Sequence, residues 1–153
     1  MHRLIGSRAY LDANIFILFA EGSTASGAAL HALFDGLNRR VISFTTSELT
    51  LAEVLVRPIQ LRNEEMIAAY EAILQIRPGF ELCPVDLATL RLCARLRAEQ
   101  GHKLPDAIHI ATALSANCGF FISEDRRLRS FDQLQVLRLA DLVTATPPPS
   151  ETP

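Results

Sequence analysis

An α/β fold with a central, mainly parallel sheet is the fold class that this sequence predicts. Short apolar runs such as "RAYLDA", "VISF" and "FFIS" alternate with longer segments of helical periodicity, of which Leu30, Leu33, Phe34 and Leu37 are an example. Such alternation of strands and helices is typical of parallel sheets. With 153 residues, 49% of them hydrophobic and 21% charged, the chain has the size and composition of one ordinary globular domain.

The predicted elements follow one another along almost the whole chain. Strands are expected at residues 8–13, 41–44, 80–85, 120–123 and 134–139, and helices at 14–22, 26–40, 47–58, 64–76, 86–101 and 105–119. Asn14 would cap the first of these helices, Pro58 would end the third, and Gly101 would close the fifth. Pro105 would open the sixth helix at its first position.

The rest of the chain suggests a single domain over residues 1–143. Residues 144–153 hold four prolines and almost nothing apolar, so we expect them to form a disordered tail. No apolar run is long enough to cross a bilayer or to form a signal peptide, and we expect a soluble, cytoplasmic protein. Three scattered cysteines, Cys83, Cys93 and Cys118, indicate small buried side chains and not a disulfide framework or a zinc site.

The formal net charge of −2 gives no global attraction to nucleic acid, but the cations are distributed unevenly. Fourteen of the fifteen are arginines, and Lys103 is the only lysine. Local clusters occur at Arg39–Arg40, at Arg91, Arg95 and Arg97, and at Arg126, Arg127 and Arg129. Arginine makes bidentate contacts with phosphate, so these clusters could bind RNA or DNA. Solvated helix faces explain each single cluster equally well.

Four acidic residues stand where a parallel sheet would bind a ligand, at the carboxyl ends of its strands. Asp12 closes the first predicted strand, and Asp125 lies just beyond "FFI". Asp106 opens a helix that is apolar nearly all round, and Glu53 lies within another helix of little polar surface. An unpaired carboxylate costs free energy in such surroundings.

Each acid also has a simpler interpretation. Asp12 could be a turn residue, Asp106 could favour the positive end of its helix, and Asp125 could be a loop acid beside arginines. Glu53 is the hardest to explain in this way. The nearby Glu48 has an easier role, because Thr45-x-x-Glu48 matches a capping box.

Taken together, the four acids predict a metal site. Two carboxylates about 4 Å apart repel by about 4 kcal/mol at an effective dielectric constant of 20, so a gathered set needs a cation. Oxygen ligands without a histidine or cysteine partner suit a hard ion, Mg²⁺ or Mn²⁺. His109, three residues after Asp106, is interpreted as a buried, hydrogen-bonded histidine that could also contact this site.

Four segments in this order resemble the PIN-domain family, and most closely its small VapC-like toxin ribonucleases. These segments are "YLDANIFI", "SELTLAEVL", "LPDAIHIATAL" and "FISEDRRL", and the last acid follows Asp106 by 19 residues. The resemblance covers about residues 8–140. It implies a three-layer α/β/α fold with a central, mainly parallel sheet of about five strands. It also implies metal-dependent hydrolysis of RNA that leaves 5′-phosphate and 3′-hydroxyl ends.

The same resemblance assigns roles to individual residues. The catalytic and metal-binding acids would be Asp12, Glu53, Asp106 and Asp125, with Mg²⁺ or Mn²⁺ as the cofactor. Asn14, Ser123 and Ser47 match polar positions that support the acids without themselves being ligands. Glu124 departs from the pattern, since a small polar residue is common there, and it competes with Asp125 as a ligand. The following "RRL" favours Asp125.

A VapC-like toxin would also have a small antitoxin partner that covers the acidic site, and it would form a homodimer. The apolar residues Met66, Ile67, Tyr70, Ile73 and Leu74 could form a helical contact between copies, or they could be core.

Three other functions remain open at this stage. A housekeeping RNA-processing nuclease would use the same acids, and a PIN-like module that binds RNA or protein without cleavage would retain only the fold. A phosphatase with Asp12 as nucleophile is disfavoured, because haloacid-dehalogenase-like enzymes need a second Asp where this chain has Asn14.

Overall fold

Five parallel strands form the centre of the fold. They are β1 (Arg8–Leu11), β2 (Ser43–Ser47), β3 (Phe80–Cys83), β4 (Phe120–Ile122) and β5 (Gln135–Leu137). The computed structural model describes residues 2–22, 24–130 and 133–143, and within them the sheet has the order β3-β2-β1-β4-β5. Every neighbouring pair is parallel, so the carboxyl ends of all five strands meet at one edge.

Seven α-helices and a short 3₁₀ helix (His2–Leu4) surround this sheet in the described part of the chain. The helices are α1 (Ala13–Ala20), α2 (Gly27–Asn38), α3 (Glu48–Gln60), α4 (Glu64–Ile73), α5 (Leu87–Gln100), α6 (Leu104–Ser115) and α7 (Leu139–Val143). The predicted three-layer α/β/α architecture is therefore confirmed. No helix in the described ranges has the length and apolar character needed to span a membrane.

Successive residues of a strand face opposite sides of the sheet, and this alternation creates two apolar cores. Ala9 and Leu11 of β1 belong to the core beneath α1–α4 and α7. Tyr10, between them, belongs to the core beneath α5 and α6, where its ring stacks on Phe121 with 4.8 Å between the ring centres. Helix α6 is buried from Ala107 to Ala113, as its apolar sequence predicts.

The beginnings of α1 and α3 differ from the predictions. Asp12, and not Asn14, caps α1, because the helix starts directly after the strand and the Asp12 carboxylate accepts the Ala13 backbone N–H. The predicted capping box at Thr45 and Glu48 is also wrong. Thr45 is a strand residue, and Ser47 caps α3 by accepting the Leu49 N–H at 3.2 Å.

Helix ends account for the other differences. Pro58 does not end α3, which continues to Gln60, because a proline in the last turn removes only one N–H donor from the helix. Helix α6 begins one residue before Pro105, and α7 was not predicted at all. Gly101 closes α5 in the left-handed conformation, as predicted. The predicted disordered tail, residues 144–153, lies outside the described residues.

The burial of the cysteines and of α4 also bears on the predictions. Cys93 and Cys118 are buried and Cys83 is half-buried, and all three are free thiols.

The apolar residues of α4, and Leu74 directly after it, face the core. Tyr70 and Leu74 are buried there, and Met66 and Ile73 pack against it. These four side chains therefore serve mainly as core, and the homodimer remains a prediction.

Gly79 provides a test of the packing beneath the sheet. Its φ is +85°, and a Cβ added there would lie 3.1 Å from Leu37 Cδ1. We expect Gly79→Ala to lower the free energy of unfolding by about 1–2 kcal/mol from backbone strain alone, measured by urea unfolding. The matched control is Gly119→Ala, where no atom lies within 4 Å of the added Cβ. Equal stability of the two variants would contradict the expectation that the left-handed backbone at residue 79 requires glycine.

Candidate active site

The candidate site lies at the carboxyl edge of the sheet, between β1 and β4. Asp12 directly follows β1, and Ser123 directly follows β4. The two strands are hydrogen-bonded neighbours, and the Asp12 N–H donates to Ile122 O at 3.0 Å. The chain builds the sheet outward in opposite directions from this pair, so it is the topological switch point at which such sheets bind ligands.

The Asp12 carboxylate is fixed by three hydrogen bonds. Oδ1 accepts the Ala13 N–H at 2.8 Å, while Oδ2 accepts the Asn14 amide at 2.6 Å and the Ser123 hydroxyl at 2.5 Å. Burial raises the pKa of Asp12 above its usual value, against the opposing effects of the Ser123 hydrogen bond and of His109. The side chain thus has a fixed orientation and a poorly solvated charge.

Asn14 and Ser123 connect Asp12 to the loop that follows β4. The Asn14 amide nitrogen also donates to Ser123 Oγ at 3.0 Å, and its carbonyl oxygen accepts the Glu124 N–H at 3.2 Å. Ser123 Oγ in turn accepts the Asp125 N–H at 3.0 Å. These two polar residues, which the sequence placed beside the acids, therefore hold the loop in position against Asp12.

Asp125 is paired with Arg127. The guanidinium Nη2 lies 2.5 Å from Asp125 Oδ2, and the Arg127 backbone N–H donates to Oδ1 at 2.9 Å. Hydrogen bonds from the Arg127 side chain are the largest cause that lowers the pKa of Asp125 to about 2. This carboxylate is therefore ionised throughout the physiological pH range.

The neighbouring Glu124 has a different partner. Its Oε1 accepts the backbone N–H of Leu139, the first residue of α7, at 2.7 Å. Arg138 holds the same loop from the other side, since its guanidinium donates to the backbone oxygens of Ser123 and Leu128. Glu124 thus stabilises the start of a helix, whereas Asp125 adjoins Ser123.

Glu53 is bonded to a buried histidine. Its Oε2 lies 2.7 Å from His109 Nε2, and His109 Nδ1 lies 2.6 Å from the Tyr10 hydroxyl. The Tyr10 oxygen accepts the Ser47 backbone N–H at 3.0 Å. His109 is only 2% exposed, so the interpretation as a buried, hydrogen-bonded histidine is confirmed, and its partner is one of the four predicted acids. Ser47 itself contacts the network through its backbone, while its hydroxyl caps α3.

Asp106 lies in the first turn of α6, where a negative charge interacts favourably with the helix dipole. Among the residues that the structure describes, no side chain donates a hydrogen bond to it. The charges of Asp106 and Asp125 both act on Arg127, and the charge of Glu53 acts on Asp12. These interactions link the acids in two pairs, and no three acidic, histidine or cysteine side chains in the described ranges are grouped as a metal site.

Two residues of this site were missed by sequence reasoning. Tyr10 carried a usable signal, because it lies on β1 two positions before Asp12, which is the spacing of residues on one side of a sheet. Arg138 carried none, since it lies in a loop 15 residues beyond Ser123.

Comparison with known proteins concerns the family and the fold of this chain. The family model described as "PIN domain" matches residues 9–134. No curated protein sequence matches the chain. Among solved structures, DNA-bound VapBC from Salmonella typhimurium is similar at a TM-score of 0.69 and 16% identity, covering 87% of this chain and 98% of that one.

Two solved structures from Mycobacterium tuberculosis are also similar. VapC20, described as a sarcin–ricin loop cleaving toxin, has a TM-score of 0.63 and 12% identity, covering 83% of this chain and 98% of that one. VapBC-5, described as a member of the VapBC family of toxin–antitoxin systems, has a TM-score of 0.55 and 25% identity, covering 86% and 98%. The family-model match over most of the chain shows that this protein belongs to the PIN-domain family.

Proposed function

We propose that this protein is a metal-dependent endoribonuclease and the cytoplasmic toxin of a toxin–antitoxin pair. The observation that carries this proposal is the Asp12 carboxylate, fixed by Ser123 and Asn14 at the switch point of the sheet. Membership of the PIN-domain family and the likeness to a toxin described as cleaving the sarcin–ricin loop support it.

Asp12, Asp106 and Asp125 would hold Mg²⁺ or Mn²⁺, and Glu53 would complete the site. The donor chemistry fits such an ion, because all four side chains offer carboxylate oxygens. A cation would also favour the ionised form of Asp12, which burial disfavours. Asp125 is now bonded to Arg127 and would change partners on metal binding, whereas Glu53 is bonded to His109 through Oε2 and would offer Oε1 to the ion. When bound, the ion would polarise the scissile phosphate and activate water.

The arginine clusters named above would bind the RNA backbone. All eight of these arginine side chains are exposed, and Arg126 and Arg129 flank Arg127 beside the acidic site. Guanidinium groups bind phosphate oxygens in a bidentate manner. RNA binding would then weaken as the salt concentration rises.

An apolar cleft beside Glu53 would receive the antitoxin. The cleft has a volume of about 300 Å³ between α1, α3 and α4. Its lining is mostly apolar and includes Ile17, Val54, Pro58, Leu61, Met66 and Tyr70. Because Glu53 lines the same cleft, a segment bound there would reach the acidic site as well.

The first prediction from this proposed function concerns catalysis. Asp106→Asn should lower RNA cleavage at least about 100-fold, because a metal site contributes several kcal/mol of transition-state stabilisation. The measurement is cleavage of a pool of tRNA and structured RNA by the full chain in Mg²⁺, Mn²⁺ or EDTA. Asp35→Asn is the control, since this exposed acid lies near the end of α2, which leads to the opposite edge of the sheet.

Cleavage that persists in EDTA and in Asp106→Asn would contradict the proposal. Failure of the folded wild-type chain to cut RNA in any of these metals would favour a module that binds RNA or protein.

The second prediction concerns the charge of Asp125. Arg127→Gln should raise the pKa of Asp125 from about 2 toward its usual value of 3.8, measured by carbon-13 NMR of the carboxyl group. The folded-state pKa is depressed, so the pair stabilises the fold above pH 4 and the contribution is lost as pH falls toward 2. Arg126→Gln is the control, and an equal change in both variants would contradict the assignment.

The third prediction concerns the partner. Leu61→Asp, at an exposed position that lines the cleft, should weaken binding of an antitoxin encoded next to this chain. Loss of one buried leucine contact costs about 1.5–3 kcal/mol, which is roughly 10- to 100-fold in Kd by calorimetry. Leu87→Asp, equally exposed but outside the cleft, should bind normally. If both variants bind with the same affinity, the antitoxin does not use this cleft.

A further inference from the structure

A chain of buried hydrogen bonds leads from the start of α3 to the carboxylate of Glu53. It runs from the Ser47 backbone N–H to the Tyr10 hydroxyl, then to His109 Nδ1, and from His109 Nε2 to Glu53 Oε2. Tyr10 is fully buried and His109 is 2% exposed. Glu53 is the one member with substantial exposure, at 33% of its side chain.

The directions of these hydrogen bonds follow from the groups at the two ends of the chain. The Ser47 backbone N–H can only donate, so the Tyr10 oxygen accepts it. A carboxylate oxygen can only accept, so His109 Nε2 carries a proton and donates it to Glu53 Oε2. Burial raises the pKa of Tyr10 well above its usual value, which keeps the hydroxyl protonated beside His109 Nδ1.

The middle contact of the chain joins Tyr10 to His109. The Tyr10 hydroxyl lies 2.6 Å from His109 Nδ1 and both side chains are buried, so this hydrogen bond holds the imidazole at the ring nitrogen that does not face Glu53. Buried polar groups without a partner are costly, and here each ring nitrogen of His109 has one.

We propose that His109 is a positioning residue that fixes the carboxylate of Glu53, and that Tyr10 holds the imidazole ring of His109 in place. This proposal rests on the proposed nuclease function and adds a residue to it. A glutamate side chain has many rotamers, and anchoring Oε2 on a buried ring restricts them. The other oxygen, Oε1, then stays available for a water molecule or a cation in the acidic site.

The three segments that carry the acids meet in this chain of hydrogen bonds. Tyr10 lies on the strand that ends at Asp12, Ser47 begins the helix that carries Glu53, and His109 lies one turn after Asp106. The same network therefore sets the position of Glu53 relative to the other two acids. A residue that served only the core would not need a charged partner at the edge of the site.

The first test is the proton on His109 Nε2 in the wild-type chain, which requires no variant and no activity. Long-range proton–nitrogen NMR should show a proton on Nε2, the ring nitrogen that faces Glu53. An Nε2 without a proton in the wild-type chain would overturn the proposal, whether or not the protein is a nuclease.

The second test separates positioning from packing by the affinity for Mn²⁺, measured by calorimetry. Removing a residue that orients a metal ligand typically weakens metal binding 10- to 100-fold, and we expect this of His109→Leu. In a Glu53→Ala background the same substitution should have no further effect, since the two residues would act as one unit. An equal loss in both backgrounds would overturn the proposal.

Thr112→Val is the matched control for a buried substitution in the same helix. Its hydroxyl donates only to Ile108 O within α6, so Mn²⁺ affinity should stay unchanged. If the wild-type chain binds no Mn²⁺ at all, the proposed metal-dependent function fails. The positioning of Glu53 is then decided by the NMR test of His109 Nε2 alone.

Discussion

The hydrogen bond from Ser123 to Asp12 is the interaction on which the rest of the site depends. It joins the ends of β1 and β4, which are neighbours only because the sheet changes direction between them. Asn14 bonds both residues and the backbone of the following loop, so the position of Asp125 derives from the same contact. A parallel sheet, together with Asn14 from the first turn of α1, thus joins two distant sequence segments in one polar cluster.

Each of the four acids lies beside a different positive or polar partner, and this limits the cost of gathering them. Hydroxyl and amide groups hold Asp12, a guanidinium holds Asp125, an imidazole holds Glu53, and the start of a helix adjoins Asp106. Burial, with a smaller contribution from the charge of Glu53, nevertheless raises the pKa of Asp12. A divalent cation would replace the Arg127 contact of Asp125 with a positive charge that the acids share.

The sequence predicted the order of the main elements, because apolar periodicity is a local property, and the family resemblance implied the three layers. It failed where a boundary depends on tertiary context. Thr45 and Glu48 match a capping box, yet pairing of β2 extends the strand through Ser47 and moves the cap by two residues. The Tyr10–His109 contact joins residues 99 positions apart, and no local pattern could reveal it. The acids themselves were predicted from strand ends and from family resemblance.

The two adjacent acids after β4 illustrate what the structure adds to such a prediction. Sequence alignment favoured Asp125 over Glu124 but offered no physical reason. In the fold, the Glu124 carboxylate accepts the N–H of Leu139 and is thereby committed to the start of α7. The backbone N–H of the next residue, Asp125, donates to Ser123 Oγ, and this hydroxyl in turn donates to Asp12. The loop thus directs Glu124 to the start of α7 and Asp125 to the Ser123–Asp12 pair, and this placement supports Asp125 as the proposed ligand.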